Sequence, residues 1–216
     1  MKNRPLLIGE IALIFWLTSC SVITPIVTPA IDVYSISPEI KQSETSADMT
    51  AMKFPSAVIL ALSSIRSPQE FMTTGIIYRD ADYGFNSYAY SRWSDSPSKL
   101  LEYYLQQSLA KSQYVLAIIP SSSRSEHDLL LEATLVDFSH HLVTRSPSST
   151  AVVSIIFYLI NPEGRILLAT KQFTEEVILE QDNAKGATRA INQASKIVAD
   201  GVQAWLAVEI ANAAQE

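Results

Sequence analysis

Cysteine is nearly missing from this chain: Cys20 is the only one in 216 residues. An intramolecular disulfide is therefore excluded, and a domain facing an oxidising compartment must be held together by packing. Glycine is sparse too, with six residues, none in the spacing of a phosphate-cradling loop. Histidine occurs three times, at His127, His140 and His141, without a His-x3-His helical pair, a cysteine ligand or an acidic cluster beside it. These read as exposed strand-end histidines, with no metal and no cofactor called for. Positive charge is short: 16 Lys and Arg stand against 22 Asp and Glu, a net charge of −6. That argues against nucleic acid as a partner and against binding anionic headgroups by charge alone.

What is present begins with Lys2 and Arg4, then an apolar run broken by Glu10 and resumed from Ile11 to Leu17. The layout is that of a secretory signal and is too short for a membrane span. Leu17-Thr18-Ser19-Cys20 resembles a bacterial lipobox, which implies cleavage between Ser19 and Cys20 and acylation of the Cys20 thiol. An ordinary cleaved signal or an uncut anchor are the alternative readings. Cleavage there removes Lys2, Arg4 and Glu10, leaving 14 basic and 21 acidic side chains and a net charge of −7. Pro25 and Pro29 deny a helix to residues 21 to 30 and favour an extended spacer. The expected organisation is a signal over residues 1–19, an acylated tether over 20–30 and one domain over 31–216. With 48% hydrophobic residues, that domain has enough apolar side chain for a core.

Within the domain, near-alternation from Ile31 to Pro38 suggests a short first strand, and polar residues 39 to 53 suggest a mobile loop. The apolar run 57–62 and residues 75–79 read as strands, followed by a tyrosine-rich strand over 83–92. Ser94-Asp95-Ser96-Pro97 is a helix start, because serine or aspartate caps free amides and proline at the first position forfeits a donor that had no partner. The helix runs to about Lys111, with Leu101, Leu105 and Leu109 on one stripe. A strand at 114–119 and three long β segments at 128–140, 150–160 and 165–177 come next, the last two joined by a turn at Asn161-Pro162-Glu163-Gly164 in which glycine would take a positive φ. A final helix spans about 184–213, with Ala187, Ile191, Ala194, Val198, Val202, Trp205 and Val208 on one stripe and Gly201 as a weak point. This order predicts an α+β fold: a mostly antiparallel sheet with two helices packed on one face.

Catalytic patterns are weak. Asp137, Ser139, His140 and His141 contain the types of a hydrolase triad, but adjacent strand residues point to opposite faces and no Gly-x-Ser-x-Gly elbow exists. Glu175, Glu176 and Glu180 read as a solvated acidic strand end. The aromatic residues Tyr78, Tyr83, Tyr88, Tyr90 and Trp93, with Arg92, are the better lead, since amphipathic rings suit partner contacts; half-buried sheet tyrosines are the alternative.

The lipobox, Tyr34-Ser35-Ile36-Ser37-Pro38, Ile77-Tyr78-Arg79, Tyr88 to Pro97 leading into the leucine-rich helix, Leu135-Val136-Asp137-Phe138, and Tyr158-Leu159-Ile160-Asn161 followed by Gly164-Arg165 and Phe173 together resemble the ABC-type transport auxiliary lipoprotein family. The resemblance covers about residues 17 to 210. It implies no catalytic residues and a lipid-anchored protein on the periplasmic face of the outer membrane. It also implies a partner, an MCE-domain (mammalian-cell-entry) protein that moves phospholipids or other lipids across the periplasm. Ser21 after the acylated cysteine, in place of aspartate, is what outer-membrane sorting would suggest.

Overall fold

The computed structural model describes residues 29–37, 57–80, 84–142 and 149–213. The signal, Ser19, Cys20, the polar stretch 39–53 and Tyr83 lie outside the described residues. Contacts divide the chain into two units at Ala30, and everything below concerns the second, residues 31–216.

Eight strands follow in order: β1 (Asp32–Tyr34), β2 (Val58–Leu62), β3 (Gly75–Arg79), β4 (Phe85–Trp93), β5 (Val115–Pro120), β6 (Leu129–His141), β7 (Thr150–Asn161) and β8 (Ile166–Ile178). Helix α1 (Pro97–Leu109) stands between β4 and β5, α2 (Ala184–Ala213) closes the chain, and a 3-10 turn occupies Gln69–Met72. The α+β class, mixed and mostly antiparallel with two helices, is as the sequence predicts. None of the described helices is long and apolar enough to cross a membrane.

The axis of the fold is β6. On one side it pairs antiparallel with β7, which pairs antiparallel with β8, giving a long meander. On its other side several short pieces lie end to end and parallel to it: β2 at Leu129–Leu131, a single bridge from Arg66 to Thr134, and β3 at His140–His141. β5 continues outward from β2, and β4 then β1 continue outward from β3.

One face of this sheet carries the core. Leu131, Ala133 and Leu135 of β6 and Val153, Ile155, Phe157 and Leu159 of β7 are fully buried beneath the helices. Helix α2 lies over β6, β7 and β8 and touches α1. Its small residues Ala187, Ala190, Ala194 and Ala199 let the backbone approach closely. Gly201 belongs to this approach, since a Cβ there would stand 2.9 Å from a ring carbon of Phe173. Phe157, Phe173 and Trp205 form an edge-on aromatic series, with centroids 6.0 and 6.2 Å apart, that joins meander to helix. Tyr114 Oη donates to the Gln203 carbonyl at 2.6 Å and Gln203 Nε2 donates to the Ser108 carbonyl at 2.9 Å, tying α1 and β5 to α2.

Local chemistry explains the element ends. Ser96 stands at the cap position of α1 and Pro97 is the first helical residue, but no side chain caps the free amides; Asp95 Oδ1 accepts only the amide of Ser96 itself, at 2.7 Å. Three expectations need correction. At the β7–β8 turn Asn161 Oδ1 accepts the Glu163 amide at 3.0 Å, yet the positive φ of 51° falls on Arg165 and no described glycine has one. A Cβ at Gly164 would meet only the exposed Ile166 side chain, whose Cδ1 stands 2.8 Å away. Val208 leaves the buried stripe of α2 and is 57% exposed, while Leu206 and Ile210 on either side of it stay buried. His140 is fully buried, not an exposed strand-end histidine.

That burial follows from a β-bulge. The β6–β7 register passes from Leu135 opposite Ile155 to Asp137 opposite Ser154, leaving Val136 unpaired. Before it, odd-numbered residues face the helices; after it, Phe138 and His140 do, and Asp137, Ser139 and His141 face the opposite side.

Candidate partner-docking edge

The triad residue types do come together, on the sheet face away from the helices. Ser139 Oγ donates to Asp137 Oδ1 at 2.5 Å, His141 Nε2 lies 3.0 Å from Asp137 Oδ2, and Arg79 Nε donates to Ser139 Oγ at 3.3 Å. Adjacency alone hid this, because spacing of two along a strand puts all three on one side. Their order is wrong for nucleophilic catalysis: the carboxylate stands at the centre, whereas a hydrolase needs the imidazole between hydroxyl and carboxylate. Ser139 is also fully buried and gives its proton to Asp137, so it has no path to a substrate. Burial alone would raise the Asp137 pKa, but the hydrogen bonds from His141 and Ser139 and the Arg79 charge outweigh it and hold it below the ordinary value. Arg79 continues to Glu70 at 3.4 Å and lies over the Phe71 ring at 5.9 Å. The constellation therefore fastens the 3-10 turn and β3 to β6. No group of three or more His, Cys, Asp or Glu among the described residues is arranged to hold a metal.

The aromatic lead resolves into inward and outward residues. β3 and β4 register as Gly75 opposite Arg92 and then Ile77 opposite Ser87, so only Ile76 stands against Tyr88 to Ser91. Surplus residues in one strand must bow out of the ladder. Trp93 closes the bow: its amide donates to the Thr74 carbonyl at 2.8 Å, and its ring, 1% exposed, packs on Phe138 with centroids 5.4 Å apart. Its side chain thus belongs to the core and does not itself reach a partner. Tyr88 turns back as well, with its ring 5.2 Å from Tyr78, and its hydroxyl 2.7 Å from His140 Nδ1. Burial first, then the Asp182 charge and Tyr78, pushes Tyr88 up to about 12. Burial also lowers the His140 pKa against an opposing pull from Asp182, with His141 adding to the lowering, so the buried imidazole is neutral at pH 7.

Tyr90 and Arg92 point the other way and are exposed, Tyr90 by 59%, and Phe85 at the strand start is 52% exposed. Phe85 is the residue that sequence reasoning passed over; no local pattern marked it, because its edge position is set by how β3 and β1 pair with β4. β1 pairs only with Ser91, Arg92 and Trp93, so the outer edge of β4 from Phe85 to Tyr90 has no neighbouring strand among the described residues. The site is an open strand edge carrying two exposed rings and a guanidinium, held in place by Tyr88, His140 and Trp93.

A comparison with curated proteins finds no match. Among solved structures, the protein XCC0632 from Xanthomonas campestris has the same fold, with a TM-score of 0.72 at 14% identity over 87% of this chain and 100% of that one. An uncharacterized protein aligns with a TM-score of 0.61 at 13% identity over 82% of this chain and 99% of that one. The profile of the ABC-type transport auxiliary lipoprotein component family matches residues 34–203. That match runs from the end of β1 through α1 and every later strand into α2, and the chain belongs to the ABC-type transport auxiliary lipoprotein component family.

Proposed function

We propose that this protein is a non-enzymatic accessory of an MCE-type, ABC-driven lipid transport system. In this reading it is anchored through acylated Cys20 on the periplasmic face of the outer membrane and grips an MCE-domain protein that passes phospholipid across the periplasm. The observation that carries the reading is the outer edge of β4 between Phe85 and Tyr90, unpaired among the described residues, in a chain of a transport-auxiliary lipoprotein family. An open edge offers main-chain hydrogen bonds to an incoming strand, and rings beside it supply specificity. A catalytic role is disfavoured by the central position of Asp137 between Ser139 and His141. Acylation by two or more chains, at about 0.8 kcal/mol per buried methylene, gives a firm anchor.

The test is a photo-crosslinking residue at Tyr90, with a control at Gln172 on the far side of the sheet, in the full acylated protein within its native envelope. An MCE-domain protein should be captured from Tyr90 and not from Gln172. Capture of an outer-membrane assembly component in its place would make the protein a structural lipoprotein, and capture of no MCE-domain protein overturns the partner assignment. A Cys20→Ala protein should leave the membrane fraction; one that stays membrane-bound overturns the anchor.

A further inference from the structure

β4, which carries the docking edge, is held at both ends and tied in the middle by a side chain. At its start Phe85, Asn86 and Ser87 register with Arg79, Tyr78 and Ile77, and at its end Arg92 registers with Gly75 while β1 covers Ser91 to Trp93. Between these anchors Tyr88 to Ser91 bow away from Ile76, the one residue opposite them. The inward tie is the Tyr88 hydroxyl, 2.7 Å from His140 Nδ1, with the two rings inclined by 4°.

His140 sits in the sheet in a form that has no room for charge. It is fully buried, and its Nε2 has no hydrogen-bond partner. With the neutral proton on Nδ1, the ring donates to Tyr88 and Nε2 forgoes only a lone-pair contact. In the imidazolium both nitrogens are donors, and Nε2 holds a charged N–H that nothing receives. Charging therefore requires water at Nε2, and water requires a covering group to move. The covers differ in how firmly they are held. β7 lies opposite through Ala151 within a ladder that runs from Leu130 to His141, and β3 pairs with His140 directly through Tyr78. The bow of β4 has surplus backbone and the Tyr88 tie. Burial, the largest influence on the ring, disfavours the proton; Asp182, ahead of α2, favours it, and His141, next along β6, opposes it. Tyr78 and Tyr88 are the titratable groups that β3 and β4 bring to it, and the Arg79 guanidinium turns to the other face, onto Ser139 and Glu70.

We infer that His140 is a proton-operated latch on the docking edge: a proton on its ring drives Tyr88 and the bow of β4 off the sheet, so that a partner bound along that edge is released faster in acid. The inference rests on that edge being the docking site, and names what regulates it. The size of the effect follows from the two forms. Opened, the ring takes a proton near the ordinary value of about 6.5; closed, it resists, so between pH 7.5 and 5.5 the opened form gains roughly tenfold. Release that passes through the opened form speeds up by the same factor.

The test is hydrogen exchange of the full-length acylated protein in detergent, corrected for the pH dependence of exchange itself. At pH 7.5 β4 should exchange faster than β7 and β8 and be indifferent to low guanidinium, the mark of a local opening. Its protection should fall roughly tenfold by pH 5.5. His140→Asn, which offers Tyr88 an amide in place of Nδ1 and cannot titrate, should abolish the fall. Tyr88→Phe, which cuts the tie, should leave β4 less protected already at pH 7.5. Envelopes washed at pH 5.5 before irradiation should give a weaker Tyr90 crosslink than envelopes washed at pH 7.5, with equal yields in His140→Asn. Protection of β4 that does not change with pH, that falls equally in His140→Asn, or that depends on guanidinium as steeply as β7 overturns the latch. So does a Tyr88→Phe protein protected as well as wild type. A Tyr90 crosslink that captures no MCE-domain protein at either pH overturns the partner reading instead, and the exchange result still decides the latch.

Discussion

The two sides of β6 are built in opposite ways. On one, β7 and β8 follow directly in sequence and register along nearly their whole length, interrupted by single-residue shifts. On the other, β2, the Arg66 bridge and β3 divide the same edge among three short parallel pieces. A hairpin closes with a short loop, so its register is set locally. Parallel pieces must be brought in from far along the chain, and loop closure has to be met before their contacts contribute. The meander is thus the stable frame, and the patchwork is where the fold can open and where β4 is presented.

Breaking the frame should have the largest effect. Phe157→Ala removes a fully buried ring from the Phe157–Phe173–Trp205 series and should cost about 3–5 kcal/mol in chemical denaturation. Breaking the patchwork should cost less and act locally. Arg66→Pro deletes the amide that donates to the Ala133 carbonyl at 3.1 Å and should cost about 1–3 kcal/mol. Its signature in hydrogen exchange is faster exchange at Leu135, whose amide donates to the Arg66 carbonyl, with β7 and β8 still protected. At the frame's contact with α2, Gly201→Ala gains about 1 kcal/mol of helix propensity but forces a methyl within 2.9 Å of Phe173; net destabilisation of roughly 1 kcal/mol is expected in thermal melts.

The smallest effect sharpens the comparison through pH. His140 has a folded pKa below its unfolded value near 6.5, so the folded state resists protonation. The unfolded chain binds the proton first as pH falls through about 6.5, and stability drops from there down to the folded pKa. A melting temperature that declines between pH 7.5 and 5.5, with a shallower decline in His140→Asn, is the expected outcome. The Asp137 depression acts lower: stability present above a carboxylate's usual pKa near 3.9 is lost as pH falls toward its folded value.

These contrasts also mark what the sequence could reveal. The meander was legible, because alternation in 128–140, the two-sided apolar run at 155–160 and the Asn161 turn are local patterns. So were both helices, from Pro97 and from the stripe through Ala187 and Ile191. The patchwork was not, since nothing within 57–62 or 75–79 says which edge those strands share. Burial of His140 was hidden by the bulge at Val136, which alternation does not announce. Tyr90 and Arg92 were legible as an exposed lead, but the inward turn of Tyr88 and Trp93 depends on a register set by β3 and β6, far away in sequence.

Val136 acts on its strand as an inserted letter acts on a reading frame. Residues before it are read odd-inward and residues after it even-inward. Delete it, and Leu135 opposite Ile155 runs straight on to Asp137 opposite Ser154 and Phe138 opposite Val153, a regular ladder in which every side chain keeps its face. One further residue inserted between Asp137 and His141 would instead exchange the faces of all residues beyond it up to the end of the strand. Loss of Val136 should therefore be tolerated better than a single-residue insertion between Asp137 and His141.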